Sequence, residues 1–195
     1  MTRLAIFASG GGSNANNILH YFKNHTTISV SVIICNKVGA GVITVAENHG
    51  VACEIIGKEV LQNQDQFSAL LNKYEIDRII LAGFLLLIPE WFVKAYPEKI
   101  VNIHPSLLPS YGGKGMFGMK VHEAVCKNKE EKTGITIHLV DEIYDHGRVL
   151  FQKSTPVLPE DNPDNIAQKV HELEYKYFPH IIEEWIKFEQ NIATK

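Results

Sequence analysis

The opening residues leave this chain few folds to choose from. Leu4-Ala5-Ile6-Phe7-Ala8 is a short unbroken apolar run, the pattern of a strand buried on both faces in a parallel sheet. It stops at Ser9-Gly10-Gly11-Gly12-Ser13-Asn14, after which Ile18, Leu19 and Phe22 recur at helical spacing. Strand, glycine turn and helix in that order aim backbone N–H groups and the positive end of a helix dipole at one point, which suits an anion. Ser13 and Asn14 are good residues with which to begin that helix. Consecutive glycines permit a backbone path closed to other residues and leave no Cβ between chain and ligand. A turn without a ligand is the alternative, and the flanking strand and helix favour a phosphate or another anion.

The kind of phosphate is narrowed by what is absent. No lysine follows the glycines as a nucleoside triphosphatase loop requires. Gly10-x-Gly12-x-x-Ala15 loosely fits a dinucleotide fingerprint, but the next strand, near 28–34, runs into Cys35-Asn36-Lys37 without an acidic residue to hold a ribose. A mononucleotide or sugar phosphate fits better.

Strand and helix go on alternating. A short helix over 42–49 is closed by Gly50, Ala52-Cys53-Glu54-Ile55-Ile56 reads as a third strand, and Phe67, Leu70, Leu71 and Tyr74 mark a helix face. Arg78-Ile79-Ile80-Leu81-Ala82 is a fourth strand, followed by an apolar loop over 83–89 and a helix to about Tyr96. Such alternation predicts right-handed crossovers and a mostly parallel sheet, with ligands beyond the C-terminal strand ends. The loop after Ala8, the loop after Ala82 and the stretch 102–109 all follow strands, so they are predicted to share one rim. Beyond them, 120–127 reads as a helix. The alternating 134–140 and the strand 148–152 form a hairpin across the acidic loop 141–147, and a long helix opens at Asn162-Pro163. Its apolar stripe is read as Ile166, Val170, Leu173, Tyr177, Ile181 and Trp185.

Composition sets the outer bounds. The 195 residues, 45% hydrophobic and 21% charged, suit one soluble domain, expected over 1–190 with a frayed tail over 191–195. A net charge of −3 offers no basic field for nucleic acid. The longest apolar run, 79–88, is about half of a bilayer span, so no membrane is expected. Met1-Thr2-Arg3 leads directly into a strand, without a signal-peptide cleavage site. Cys35, Cys53 and Cys126 are scattered, which suits reduced thiols in the cytoplasm and neither a disulfide framework nor a zinc site.

The chemistry concentrates in Asn102-Ile103-His104-Pro105-Ser106-Leu107-Leu108-Pro109. Asn102 and His104 are two apart, so on an extended backbone their side chains leave one side. Pro105 biases His104 to extended geometry. A carboxamide and an imidazole side by side can polarise one carbonyl and move one proton. Alone, the same residues describe a strand end with a satisfied histidine.

Four motifs together change that balance. Ser9-Gly10-x-Gly12-Ser13-Asn14, Leu81-Ala82-Gly83-Phe84, Asn102-Ile103-His104-Pro105-Ser106-Leu107-Leu108-Pro109 and His138-x-Val140-x4-Asp145-x-Gly147 resemble, in order and spacing over nearly the whole chain, the phosphoribosylglycinamide formyltransferases. These are folate-dependent enzymes of purine (IMP) biosynthesis. The resemblance implies an α/β, Rossmann-like three-layer sandwich with a mostly parallel central sheet, an antiparallel distal hairpin and a long C-terminal helix. It implies transfer of a formyl group from 10-formyltetrahydrofolate, the co-substrate, to the amine of glycinamide ribonucleotide. On the matching positions Asn102, His104 and Asp145 form the catalytic trio, and Gly12, Ser13, Asn14 and Glu174 bind the ribonucleotide. Leu85, Leu86, Leu87, Ile88, Asn102 and Asp141 receive the folate. The chain departs from some relatives at Leu86 and Gln64, where they carry arginine, and in the glycine- and methionine-rich loop 111–119.

Amine attack on a formamide carbon gives a tetrahedral centre with oxyanion character, for which Asn102 and a protonated His104 are suitable donors. Asp145 would pair with the imidazolium and orient a water that moves the amine proton. No metal is needed, and no serine or cysteine has a base partner, so direct transfer is expected. His138 is read as structural, Thr136 as a nearby hydrogen-bonding group, and Glu174 as lying beside the apolar stripe. His122 and His146 receive no role. The partners are then the ribonucleotide and folate, for a monomer or homodimer. A sugar-nucleotide formyltransferase and a non-catalytic nucleotide-binding module are the competing readings. A methionyl-tRNA formyltransferase would need more chain and more basic charge, and a formyltetrahydrofolate deformylase a preceding domain.

Overall fold

The computed structural model describes residues 1–193, with side chains to Gln190. The chain divides into two compact units, Met1–Asn102 and the part from Ile103 onward, and the division falls inside a strand. Among the described residues no helix is long and apolar enough to cross a membrane.

The first unit alternates strand with helix, except that two helices follow its third strand: β1 (Thr2–Ala8), α1 (Ser13–Phe22), β2 (Ile28–Cys35), α2 (Gly41–His49), β3 (Ala52–Ile55), α3 (Lys58–Gln62), α4 (Gln64–Lys73), β4 (Arg78–Leu81), α5 (Glu90–Ala95) and the start of β5 (Ile100–His104). β1 pairs in parallel with β2 and β4, β2 with β3, and β4 with β5. The unbroken apolar runs explain the central places. Leu4, Ala5, Ile6 and Phe7 of β1 have no exposure, nor have Val32 to Ile34 of β2, so both faces of these strands are covered.

Aromatic packing sets the helices that follow on this sheet. Phe7 meets Phe67 of α4 edge-on at 5.9 Å and stacks with Phe92 of α5 at 6.0 Å. Phe67 and Phe92 meet edge-on at 5.2 Å, and Phe84 joins Phe7 at 5.2 Å. Burial of each ring is worth roughly 1.5–3 kcal/mol, and each favourable ring pair adds about 0.5–1.5 kcal/mol. The short α3 was not expected. With five residues and Leu61 as its buried side chain, it offers no periodicity to read.

The second unit holds α6 (Met119–Lys127), β6 (Lys132–Leu139), β7 (Val149–Pro156) and α7 (Pro163–Ala193). β6 and β7 form the expected antiparallel hairpin, with a register shift between Ile137 and His138. Hydrogen-bonded strands follow the order β3-β2-β1-β4-β5-β6-β7, a mostly parallel sheet with an antiparallel end, as expected.

Of the stripe read on α7, Ile166, Val170, Ile181 and Trp185 are buried as expected, and the reading departs from the structure only in the middle of the helix. Val170, Glu174, Phe178 and Ile182 are buried, whereas Leu173 and Tyr177 are half-exposed. Glu174 therefore lies on the stripe and not beside it. It stands four residues from both Val170 and Phe178, and counting only apolar side chains hides it. Of the tail expected to fray, α7 includes the backbone to Ala193, and Thr194 and Lys195 lie outside the described residues.

Candidate functional site

In the first unit, the loop between β1 and α1 is tied down by one residue. The Ser9 N–H donates to the Gly83 carbonyl at 3.0 Å. Its hydroxyl donates to the Asn36 side-chain oxygen and accepts the Leu85 N–H at 2.8 Å. Ser9 thus joins the segments following β1, β2 and β4. Asn36 stands at the end of β2, where a dinucleotide fold places its acidic residue, and is spent instead on this joint.

The three glycines differ in purpose. Gly12 has φ +81°, and a Cβ there would lie 2.8 Å from Val42 Cα, so the fold itself requires glycine. Its Cβ direction is filled by α2, not left open for a ligand as expected. A Cβ at Gly10 or Gly11 would meet nothing within 4 Å, and theirs is the open backbone. The Gly10 carbonyl accepts the Val42 N–H at 3.1 Å. Ser13 begins α1 and is exposed, and Asn14 is buried one residue later.

The loop after β4 presents alternate side chains outward. Leu85 and Leu87 are 54% and 55% exposed, Leu86 is half-buried and Ile88 is buried. Two exposed leucines beside a backbone fixed by Ser9 and Phe84 make a firm apolar surface. Asn102 is half-buried on β5, opposite Leu81 at the end of β4.

The second unit assembles the titratable groups. His104 is 4% exposed, and its Nε2 donates to the Tyr111 carbonyl at 2.7 Å. Its Nδ1 faces Asp145 Oδ2 at 3.5 Å, an ion-pair distance when the ring is protonated. Asp145 Oδ2 also accepts the Gly113 N–H at 2.8 Å. Asp145 has φ +53°, a conformation that aspartate tolerates better than most residues. Two residues on, a side chain at Gly147 would strike the Leu139 carbonyl. Turn geometry thus constrains this loop in addition to its contacts with His104 and Gly113.

His138, read as structural, places Nε2 3.7 Å from Asp145 Oδ1, so the carboxylate lies between two imidazoles. The His138 Nδ1–H donates to the Leu139 carbonyl at 2.8 Å. Burial pushes the His138 pKa down and outweighs that bond and Asp145, which raise it. Thr136 holds the 102–109 stretch in shape: its hydroxyl donates to the Ser106 carbonyl and accepts from Leu108 N–H and Gln152 Nε2.

Glu174 is 5% exposed, and its Oε2 lies 2.9 Å from His171 Nδ1. That bond raises the His171 pKa against the effect of burial. His122 on α6 is 2% exposed, with no hydrogen bond to Nδ1 among the described residues. Burial, first, and then the charge of His171 push its pKa down. Asp141, on the acidic loop, accepts the Ile143 N–H at 2.8 Å and His146 Nδ1 at 2.9 Å. Burial raises its pKa, but those bonds and the His146 charge leave it below the usual carboxylate range.

The sequence model of the Formyl transferase family matches residues 2–182. The chain belongs to the formyl transferase family. Among its relatives is the chloroplastic phosphoribosylglycinamide formyltransferase of Arabidopsis thaliana, 38% identical over 97% of this chain and 68% of the relative. The phosphoribosylglycinamide formyltransferase of Bacillus subtilis (strain 168) is 34% identical over 94% of each. The crystal structure of phosphoribosylglycinamide formyltransferase from Bacillus halodurans has a TM-score of 0.84 at 30% identity, covering 94% of each chain. Within this formyl transferase, backbone partners were what the sequence did not reveal. The Tyr111 carbonyl and the Gly113 N–H carry no side-chain signature, and His138 and His122 looked like ordinary strand and helix residues.

Proposed function

We propose that this protein transfers the formyl group of 10-formyltetrahydrofolate to the amine of N1-(5-phosphoribosyl)glycinamide. The products are N2-formyl-N1-(5-phosphoribosyl)glycinamide and tetrahydrofolate, in purine (IMP) biosynthesis. The observation that carries the reading is His104, buried between the Tyr111 carbonyl and the Asp145 carboxylate, two residues from Asn102 on β5.

The amine lone pair attacks the formyl carbon, and the carbonyl electrons move onto oxygen. Asn102 NH₂ and the Nδ1–H of protonated His104 donate to that oxygen, Nε2–H being held by the Tyr111 carbonyl. Asp145 holds the imidazolium by charge and orients a water that takes the amine proton. The proton passes to folate N10 as the carbon–N10 bond breaks, and the carbonyl re-forms. Binding both reactants removes the entropy of encounter, worth up to roughly 7–11 kcal/mol in well-oriented cases.

In this reading the ribonucleotide phosphate lies on the N-terminus of α1, against the open backbone of Gly10 and Gly11 and the N–H groups of Gly12, Ser13 and Asn14. Glu174 accepts hydrogen bonds from the same substrate. Leu85, Leu86, Leu87 and Ile88 offer apolar surface and backbone groups to the pterin, with Asn102 and Asp141 as polar contacts. The protein acts in the cytoplasm, as a monomer or homodimer.

The deciding experiment supplies purified protein with 10-formyltetrahydrofolate and glycinamide ribonucleotide, and follows tetrahydrofolate release and formylated product. Stoichiometric formation of both is expected. Absence of product with active folate would overturn the reading, and turnover only with a nucleotide-linked amino sugar would replace it.

A further inference from the structure

His104 is held by a strap whose residues no catalytic role yet includes. Its Nε2 lies 2.7 Å from the Tyr111 carbonyl. A carbonyl only accepts, so Nε2 carries a proton in every state of the ring that keeps this bond. In the neutral ring, Nδ1 is therefore the nitrogen with a lone pair, and it is the one facing Asp145.

Three features fix that carbonyl in place. Tyr111 has φ +57°, in the left-handed region where a tyrosine is strained and needs outside support. Its hydroxyl supplies the support, donating to Glu130 Oε1 at 2.7 Å and accepting from Asn128 Nδ2 at 2.8 Å. Two residues later the Gly113 N–H grips Asp145 Oδ2 at 2.8 Å. Between them, Gly112 packs so closely that a Cβ would lie 2.6 Å from Leu108 Cδ2 and 3.3 Å from Asp145 Cβ. One segment thus sets both the histidine and its carboxylate, and the segment is pinned by a tyrosine hydroxyl on the turn after α6.

We infer that Tyr111 is a positioning residue: its carbonyl locks His104 in the Nε2–H tautomer, and its hydroxyl, bound to Glu130 and Asn128, holds the carbonyl where that lock works. Its effect on rate rests on the formyl-transfer reading. The tautomer does not, and the two fail separately.

The test uses whole protein labelled with ¹⁵N in histidine, together with steady-state kinetics. With the ring neutral at alkaline pH, His104 should show a protonated Nε2 and an unprotonated Nδ1. Tyr111→Phe and Glu130→Ala, which free the strap without touching His104, should give mixed tautomers. They should lower kcat by roughly 10- to 100-fold, the scale of a small misplacement, with KM for both substrates unchanged. Glu130→Gln keeps an acceptor for the hydroxyl and should restore kcat and the single tautomer. An Nδ1–H tautomer in the unaltered protein would overturn the inference, as would Tyr111→Phe and Glu130→Ala both keeping full kcat. Loss of rate through KM alone would do the same. If the unaltered protein shows the Nε2–H tautomer but transfers no formyl group, the activity reading falls and the lock stands.

Discussion

Thr136 donates its hydroxyl proton to the Ser106 carbonyl at 2.7 Å from a position with no solvent exposure. The same oxygen accepts from Leu108 N–H at 3.0 Å and Gln152 Nε2 at 2.8 Å, so one hydroxyl shapes the turn after β5. Thr136→Val keeps the volume and strands a carbonyl and an N–H. It is expected to lower unfolding free energy by about 1–3 kcal/mol, the cost of leaving buried partners unmade. Thr136→Ser should recover most of that. Urea unfolding of the three proteins measures it, and equal midpoints for valine and threonine would remove Thr136 from this role.

His104→Ala removes the donor to the developing oxyanion while leaving the first unit, with its glycine loop, untouched. Turnover should fall by about 10²–10⁴-fold, the usual contribution of a positioned acid or base. Ribonucleotide affinity, measured by calorimetry, should be unchanged. A rate near that of the unaltered protein would reject the assignment. A parallel loss of affinity would mean that His104 is needed for binding or for the fold instead.

What the sequence made legible was whatever side-chain pattern controls. Leu4 to Ala8 and Ile79 to Leu81 announced parallel strands because both of their faces are covered, and a doubly covered strand has no polar alternation. Asn102, His104 and Asp145 were singled out through the resemblance of four motifs, and the structure sets Asp145 3.5 Å from His104, although Asp145 alone reads as a turn residue, which its φ of +53° shows it also is. Glu174 was misplaced because an apolar stripe was sought, while the helix repeat puts it between Val170 and Phe178 on the buried face. The joint at Ser9 and the grip of Gly113 were illegible for a different reason. They depend on which backbone groups the loops bring together, and a chain's composition does not record that.

Gly10→Val and Gly12→Val separate ligand space from fold space. At Gly12 the new side chain meets Val42 and a positive φ at once, so this variant should unfold more easily, by roughly 1 kcal/mol or more. At Gly10 the added atoms enter open space, so stability should change little while ribonucleotide binding weakens through crowding of the phosphate. Thermal unfolding and ligand titration of both variants check this. Full affinity in Gly10→Val would count against a phosphate on this loop.

The His171–Glu174 pair gives stability a pH dependence whose sign follows from its geometry. The bond at 2.9 Å raises the His171 pKa above its ordinary 6.5, with burial opposing. The folded protein then holds a proton that the unfolded chain releases in the window just above 6.5. The pair's contribution is therefore fully present below 6.5 and is lost as pH rises through the raised value. His171→Asn removes the titrating ring, so the stability gap between the two proteins should be widest at acid pH and close on the alkaline side. His171 is half-exposed, and solvent screening holds the gap to roughly 1 kcal/mol or less. Buried His122 works the other way: its lowered pKa costs stability as pH falls below 6.5. Loss of the neighbouring His171 charge relieves part of that cost in the variant, which narrows the gap at the acid end. Urea unfolding of both proteins across this range measures the gap, and a difference independent of pH would mean that Glu174 stays buried without drawing on a charged His171.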